Sequence, residues 1–288
     1  MSFFPIVDVE SEIEVIEYLG TKEKFWFKRD GKLQLLKFGR EETGENWAEK
    51  IACELCQLLA LPHAHYDFAR FKGKLGVLTP KMNEDGSDLI LGNQLMDPAP
   101  PTNEGTRYKY RGHTVSRVLE ALKSTDDPEL SVRTFSGYLM LDAWIGNGDR
   151  HNENWGLVRN PERRTVSLAP TFDHASSLGR ELRDEVRAER LKTRDKRYSV
   201  EAYAARTRSG LYEEQTNSQP LYTINAFKIA CSIGKSNMDF WLDKLSAVSE
   251  ADVSGIFKRV PTALISNEAS AFAIAMLEIN KQKLLGLR

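Results

Sequence analysis

Apolar and polar side chains alternate along the first part of the chain. Ile13 and Val15, then Phe25 and Phe27, place every second residue on one face, the period of a β-strand. Asp30-Gly31 in RDGK supplies a tight turn between two such runs. The segment SEIEVIEYLGTKEKFWFKRDGKLQLLKFG therefore predicts a hairpin or meander. The period then changes. In GENWAEKIACELCQLLALP the residues Trp47, Ile51, Leu55, Leu58 and Leu59 recur at helical spacing, and Pro62 closes the run. HYDFARFKGKLGVLTPKM returns to strands around Lys72-Gly73. From Asn83 the pattern fades into a polar stretch with DPAPPTNEGT at its centre, which predicts a long loop or linker.

Helical periods dominate from about Thr114, in VSRVLEALKS and the strongly apolar VRTFSGYLMLDAWIG. WGLVRNPERRTVSLAPTFDHASSLG reads as two short strands joined by a turn at Asn160-Pro161. Further helices are expected near Ile224–Ser232, Met238–Ala247 and Ala269–Leu284. The predicted architecture is α+β and bilobed: a small β-rich lobe over residues 1–82 and a larger, mostly helical lobe over 83–288.

Composition narrows the function classes. Hydrophobic residues make up 41% and charged residues 28%, and the formal net charge is -1. No global field invites nucleic acid or membrane, so neither is expected as a direct partner. No apolar run reaches the roughly 18 residues that a membrane helix needs. The start, MSFFPIVDVESEIEV, lacks the basic region of a secretory signal, and three cysteines are too few for a disulfide framework. A cytoplasmic location is expected. Cys53 and Cys56 form a C-x-x-C with His63 and His65 downstream. They lie inside an apolar helix and no ligand pair of standard spacing follows, so they are read as buried small hydrophobes rather than zinc ligands.

The chemistry concentrates in WIGNGDRHNENWG. Asp149, His151 and Asn154 follow an apolar helix and precede a strand, and Asp173 follows the next strand. A hairpin between those strands returns Asp173 close to Asn154. An Asp and an Asn offer hard oxygen ligands suited to magnesium, and a further Asp can accept or orient a hydroxyl proton. Phosphoryl transfer needs these parts together with a lysine in reach of nucleotide phosphates. Lys37 in LQLLKFG is a lone cation after an apolar strand run. Glu45, Glu49 and Glu54 on the following helix are candidates to hold it. Gly20, Thr21 and Lys22 in LGTKEKFW form a candidate phosphate-covering turn, although neither GxGxxG nor a Walker loop is present. Arg150, Asn152 and Glu153 acquire no role and are expected to face solvent.

With Asp149-x-His151-x-x-Asn154 followed by Asp173 after a short hairpin, the chain resembles the HipA family of bacterial kinases, whose fold is similar to phosphatidylinositol kinases. The resemblance extends through Gly20 and Glu23-Lys24, through Lys37, and through AEKIACELCQLLALP. It implies an ATP- and magnesium-dependent serine/threonine protein kinase. Asp149 would act on the acceptor hydroxyl, with His151 supporting the loop. Asn154 and Asp173 would bind magnesium and Lys37 the ATP phosphates. Glu49, picked by alignment of the helix, would pair with Lys37. The adenine hinge would fall near Leu78–Met82, with Leu78, Lys81 and Met82 as contacts. Family members of the toxin type act on a translation component and have an antitoxin or operon partner. They usually carry an extra N-terminal subdomain that helps bind that partner, whereas the kinase signature here begins almost at Met1, as expected of a short form. Thr21 is the one hydroxyl in the phosphate loop for autophosphorylation.

Two other readings stand beside a protein kinase: a small-molecule or lipid kinase, and a nucleotide-binding pseudokinase. The segment GRELRDEVRAERLKTRDKRYSV directly follows the Asp173 region and leans basic. It reads either as a solvated helix or mobile loop, or as an activation or substrate segment whose arginines grip an acidic protein, a phosphate or an RNA-bound partner. YAARTRSGLYEE adds arginines and is a candidate to close over the site.

Overall fold

The fold was analysed in a computed structural model that describes residues 2–10, 14–16, 23–83, 86–96, 110–232 and 235–288. Strands β1 (Ile6–Asp8), β2 (Val15–Ile16), β3 (Lys24–Arg29) and β4 (Lys32–Lys37) precede helix α1 (Glu45–Leu58), and β5 (Asp67–Phe71) and β6 (Lys74–Pro80) follow it. They form one six-stranded sheet in the order β1-β5-β6-β4-β3-β2, antiparallel except where β1 pairs with β5. Asp30 and Gly31 both take positive φ, 51° and 74°, so the β3–β4 hairpin turns where the Asp-Gly pair allows it. The β5–β6 turn repeats this at Lys72 and Gly73.

Two features depart from expectation in the polar stretch after Asn83. Strand β7 (Asp88–Leu91) and the single turn α2 (Gly92–Leu95) form there, and β7 joins β8 (Gly156–Asn160) and β9 (Thr165–Leu168) in a second sheet. DLIL is apolar enough to pair, but it is too short for a period to show. The Pro-rich centre, residues 97–109, lies outside the described residues.

The helical part begins with α3 (Val115–Leu122) and α4 (Pro128–Ile145). After β9 come α5 (Asp184–Lys192), α6 (Val200–Ala204), α7 (Thr223–Cys231), α8 (Lys235–Ala247), α9 (Glu250–Arg259) and α10 (Asn267–Leu285). Helix α9 is not apparent in the hydrophobic period, yet its start is explicit: Ser249 and Asp252 form a reciprocal capping box. The basic stretch after Gly179 becomes α5 and α6, both packed on α10. Among the described residues no helix is long and apolar enough to cross a membrane.

One large core runs from α1, through Trp47, Ile51 and Leu55, to α4, α7 and α10. A smaller core of Phe25, Phe27, Leu36, Phe38 and Leu78 lies on the opposite face of the first sheet. Helix α1 is thus wedged between the sheet and the helical part. Cys53 and Cys56 are buried within it as free thiols, with Cys53 Sγ accepting from the Tyr66 amide at 3.4 Å.

Gly137 in the middle of α4 faces Trp241, whose indole donates to the Arg133 carbonyl at 2.6 Å. A methyl group at Gly137 would run into that indole and stand 2.8 Å from Leu61 Cδ1. In an exposed helix Gly→Ala stabilises by about 1 kcal/mol. Here the sign reverses: Gly137→Ala is expected to destabilise by about 1–3 kcal/mol, read as a lower urea midpoint. A raised midpoint would show that α8 does not pack on α4 in this way.

Candidate active site

The alternation of β4 decides where its lysine goes. Leu36 and Phe38 enter the smaller core, while Leu33, Leu35 and Lys37 face a cleft between the sheet and the helical part. Lys37 is only 7% exposed. Its Nζ lies 2.9 Å from Asp173 Oδ1 and 3.4 Å from Glu49 Oε2, with the Tyr66 ring beneath it at 5.5 Å. Burial alone would lower the pKa of Lys37, but the carboxylates of Asp173 and Glu49 hold it well above the ordinary lysine value. Glu49 is fully buried, which alone would raise its pKa; the Lys37 ammonium and a hydrogen bond from His174 hold it below the ordinary carboxylate value.

Of the three glutamates on α1, each has a different task. Glu49 meets Lys37 and accepts from the His174 amide at 2.7 Å. Glu45 accepts from Arg40 Nη1 at 2.7 Å and from Arg180. Glu54 pairs with Lys50 and Arg259.

The loop after α4 is built from a left-handed cap and a buried arginine. Gly146 takes φ 63° and ends the helix. Arg150, expected at the surface, is fully buried. Its Nε and Nη2 grip both Asp142 oxygens at 2.8 Å, Nη1 donates to the Asn154 carbonyl at 2.6 Å, and Nη2 also reaches Thr171 Oγ1 at 3.0 Å. Asn152 is buried too, and Glu153 accepts from Asn93 Nδ2 at 3.1 Å inside the cleft. The solvent-facing reading is corrected for Arg150 and Asn152, because the loop is pinned from beneath and buries what pins it; Glu153 is half-buried and lines the cleft.

Arg150 fixes the shape of the loop and leaves its reactive groups at the cleft. Asn154 Nδ2 donates to the Asp149 carbonyl at 2.6 Å, which leaves Oδ1 as the atom it can offer a cation. His151 Nδ1 accepts from the Glu153 amide at 3.1 Å, a loop-supporting bond. The Asp149 side chain is 44% exposed and accepts from Ser176 Oγ at 3.2 Å. Asp173 arrives through Thr171, which pairs with His63 just beyond α1. It takes φ 59°, a backbone region that Asp tolerates better than most residues.

The cleft has a volume of about 1250 Å³. Lys37, Lys81, Met82, Asp149, His151, Asn154 and Asp173 all line it. Glu49 sits behind Lys37. Leu78 does not line it; its side chain lies in the smaller core, and Thr79 and Pro80 flank the cleft instead. Gly20, Thr21 and Lys22 fall outside the described residues. Asn154 Oδ1 and the Asp173 carboxylate, two hard oxygen donors on one cleft beside a buried cation, fit a magnesium ion. Residues that the sequence did not single out include Arg150, Asp142, Thr171, His174, Tyr66 and Ser176.

The model of the family described as HipA-like C-terminal domain matches residues 16–221. Y4dM, a candidate kinase of Sinorhizobium fredii, is 26% identical over 55% of this chain and 44% of that protein. The serine/threonine-protein kinase CtkA of Helicobacter pylori is 24% identical over 47% of this chain and 41% of that protein. These matches span less than half the length of either relative. The fold is that of the crystal structure of the proinflammatory kinase CtkA, with TM-score 0.78 and 22% identity over 98% of this chain and 97% of that one. It is also that of HipA from Shewanella oneidensis, solved with HipB and operator DNA, with TM-score 0.60 and 12% identity over 95% and 65%.

The loop is braced on its far side by His113, which is buried and lies edge to edge and nearly coplanar with Trp155. Its Nε2 accepts from Trp155 Nε1 at 3.0 Å, and its Nδ1 is 2.9 Å from the Gly210 carbonyl, so the ring is neutral with its proton on Nδ1. Burial holds its pKa down at about 3. The unfolded chain protonates this histidine below about pH 6.5, whereas the folded one does not until near its depressed value. Its contribution is therefore complete above about pH 6.5 and declines as pH falls. Urea unfolding is expected to lose on the order of 2–3 kcal/mol between pH 6.5 and 4.5, and His113→Gln to flatten that slope. Equal slopes would remove His113 as the cause.

Proposed function

The chain belongs to the HipA-like C-terminal domain family, and from that premise we propose that it is an ATP- and magnesium-dependent kinase that phosphorylates serine or threonine of a protein. The observation that carries this reading is the convergence of Lys37, Glu49 and Asp173 on one buried ion cluster, in the cleft that Asp149 and Asn154 also line. The names of the relatives support the same class: CtkA is a serine/threonine-protein kinase.

Lys37 offers a fixed cation to the phosphates, and Glu49 holds it in place. Asn154 and Asp173 would hold magnesium, which offsets phosphate charge when bound. Lys81, Met82 and their neighbours Thr79 and Pro80 supply the adenine end. Asp149 orients the acceptor hydroxyl and takes its proton. The acceptor oxygen bonds to the γ-phosphorus, the bond to the bridging oxygen breaks, and ADP leaves. The proton stays on the Asp149 carboxylate until solvent removes it. An antitoxin-like partner belongs to this proposal through the HipA relative, solved as a toxin-antitoxin system with HipB and operator DNA; a translation target belongs to it through the family resemblance alone.

Transfer from γ-labelled ATP to casein tests this reading. Asp149→Asn is expected to lower transfer by about 10²–10⁴-fold with ATP affinity retained, because the loop is shaped by Arg150 and not by Asp149. Equal labelling by the variant would remove Asp149 from the mechanism. Nucleotide binding without any transfer by the wild-type protein would leave a pseudokinase.

A further inference from the structure

The residues 180–208 carry ten basic and six acidic side chains in a chain whose formal net charge is -1. Three of these ten basic residues, Arg180, Arg190 and Arg206, reach one cleft. Arg180, Glu181, Arg190, Tyr203, Arg206 and Thr207 line the active-site cleft. The same stretch lies against the Asp149 loop. A Cβ built on Gly146 would stand 3.5 Å from Thr207 Oγ1, and one on Gly148 would stand 3.2 Å from the Arg208 carbonyl. The basic wall is therefore on the side of Asp149, where an acceptor would lie.

The compensation of these charges is incomplete. Glu181 is engaged by the Tyr203 hydroxyl, and Glu45 is shared by Arg40 and Arg180. Arg190 and Arg206 have no carboxylate partner among the described residues. Arg206 is exposed and donates to the Arg197 carbonyl at 3.3 Å. Arg190 donates to the Tyr198 carbonyl at 2.9 Å, and its guanidinium lies 4.1 Å from the Tyr198 ring and 5.3 Å from that of Tyr203. Its Nε is buried without a hydrogen-bond partner. Two tyrosine rings thus hold a guanidinium in a fixed pose with its charge unmatched. Such an arginine is suited to a carboxylate, because little side-chain entropy remains to be lost on pairing.

We propose that Arg190 and Arg206 form an acceptor subsite that selects a peptide with Asp or Glu beside its phosphorylated hydroxyl. This deepens, and for the identity of its ligand rests on, the kinase reading. Of the partners the basic stretch could serve, an acidic peptide fits best. Arg190 is held by two tyrosine rings within the cleft, a pose that suits one carboxylate, whereas the exposed Arg183, Lys192, Arg194 and Lys196 of the same stretch lie outside the cleft lining; in the kinase reading phosphate is served by Lys37.

The test uses the full chain loaded with magnesium and a non-hydrolysable ATP analogue. Two fluorescent peptides differ only in whether a central serine is flanked by Asp/Glu or by Lys/Arg, and anisotropy reads their binding. The acidic peptide is expected to bind about tenfold tighter or better, with the preference shrinking as salt rises. Arg206→Gln, a surface change, should cut that preference severalfold, and Arg190→Gln combined with it should abolish the preference. Equal or tighter binding of the basic peptide, no binding of either, or an undiminished preference in Arg206→Gln and the double variant would overturn the subsite. Transfer from ATP is scored separately. An acidic peptide that binds through these arginines and is never phosphorylated upholds the subsite and contradicts the kinase reading. Preferred phosphorylation of the basic peptide does the opposite.

Discussion

A buried ammonium is the constraint on which the rest of the site depends. Lys37 is withdrawn from water at a cost of several kcal/mol, recovered only through well-placed opposite charge. No carboxylate on its own sheet supplies it. Glu49 comes from α1 and Asp173 from the far side of the cleft, so the ion cluster forms only when the two parts of the molecule are closed on each other. This explains why α1 is wedged into the large core rather than lying on the surface: a carboxylate that meets a buried cation must itself be buried.

The cluster does not end at Glu49. The His174 amide donates to Glu49, the His174 ring lies 2.8 Å from Thr171 Oγ1, and Thr171 Oγ1 accepts from Arg150, which grips Asp142. Asp142 in turn accepts from Asn147, whose own oxygen takes the Asp149 amide. A continuous line of buried hydrogen bonds therefore connects the lysine in the sheet to the backbone of the Asp149 loop. Each member spends its polar groups on the next, so truncating one strands the neighbour in low dielectric. Arg150 is the keystone because a planar fork with several donors can reach Asp142, Asn154 and Thr171 at once, which a lysine cannot.

How much of this was legible in sequence follows from what a one-dimensional pattern can carry. The alternation around Phe25 and Phe27 and the Asp30-Gly31 turn determine the β3–β4 hairpin locally, and it forms as read. Asp149, Asn154 and Asp173 were legible because a short hairpin has little choice about where its ends meet. Glu49 was not legible from period alone. It lies off the apolar stripe of α1, and only the family resemblance selected it. The stripe misleads because α1 is buried on nearly all sides, so positions off the stripe are interior too. Arg150 was missed for a related reason: an arginine in a polar loop is normally solvated, and nothing nearby announces that Asp142, one helix end away, takes its charge. Strand β7 is too short to show a period, and Leu78 follows the alternation of β6 into the smaller core rather than the cleft.

The central claim is that the Lys37 charge, held by Glu49 and Asp173, is what this cleft offers to a triphosphate. Calorimetric titration of ATP with magnesium into the wild-type protein and a Lys37→Gln variant, both checked for native far-UV circular dichroism, addresses it most directly. The expected result is binding to the wild type and an affinity at least about tenfold weaker in the variant. Equal affinity in a folded Lys37→Gln protein would contradict the claim and place the nucleotide elsewhere.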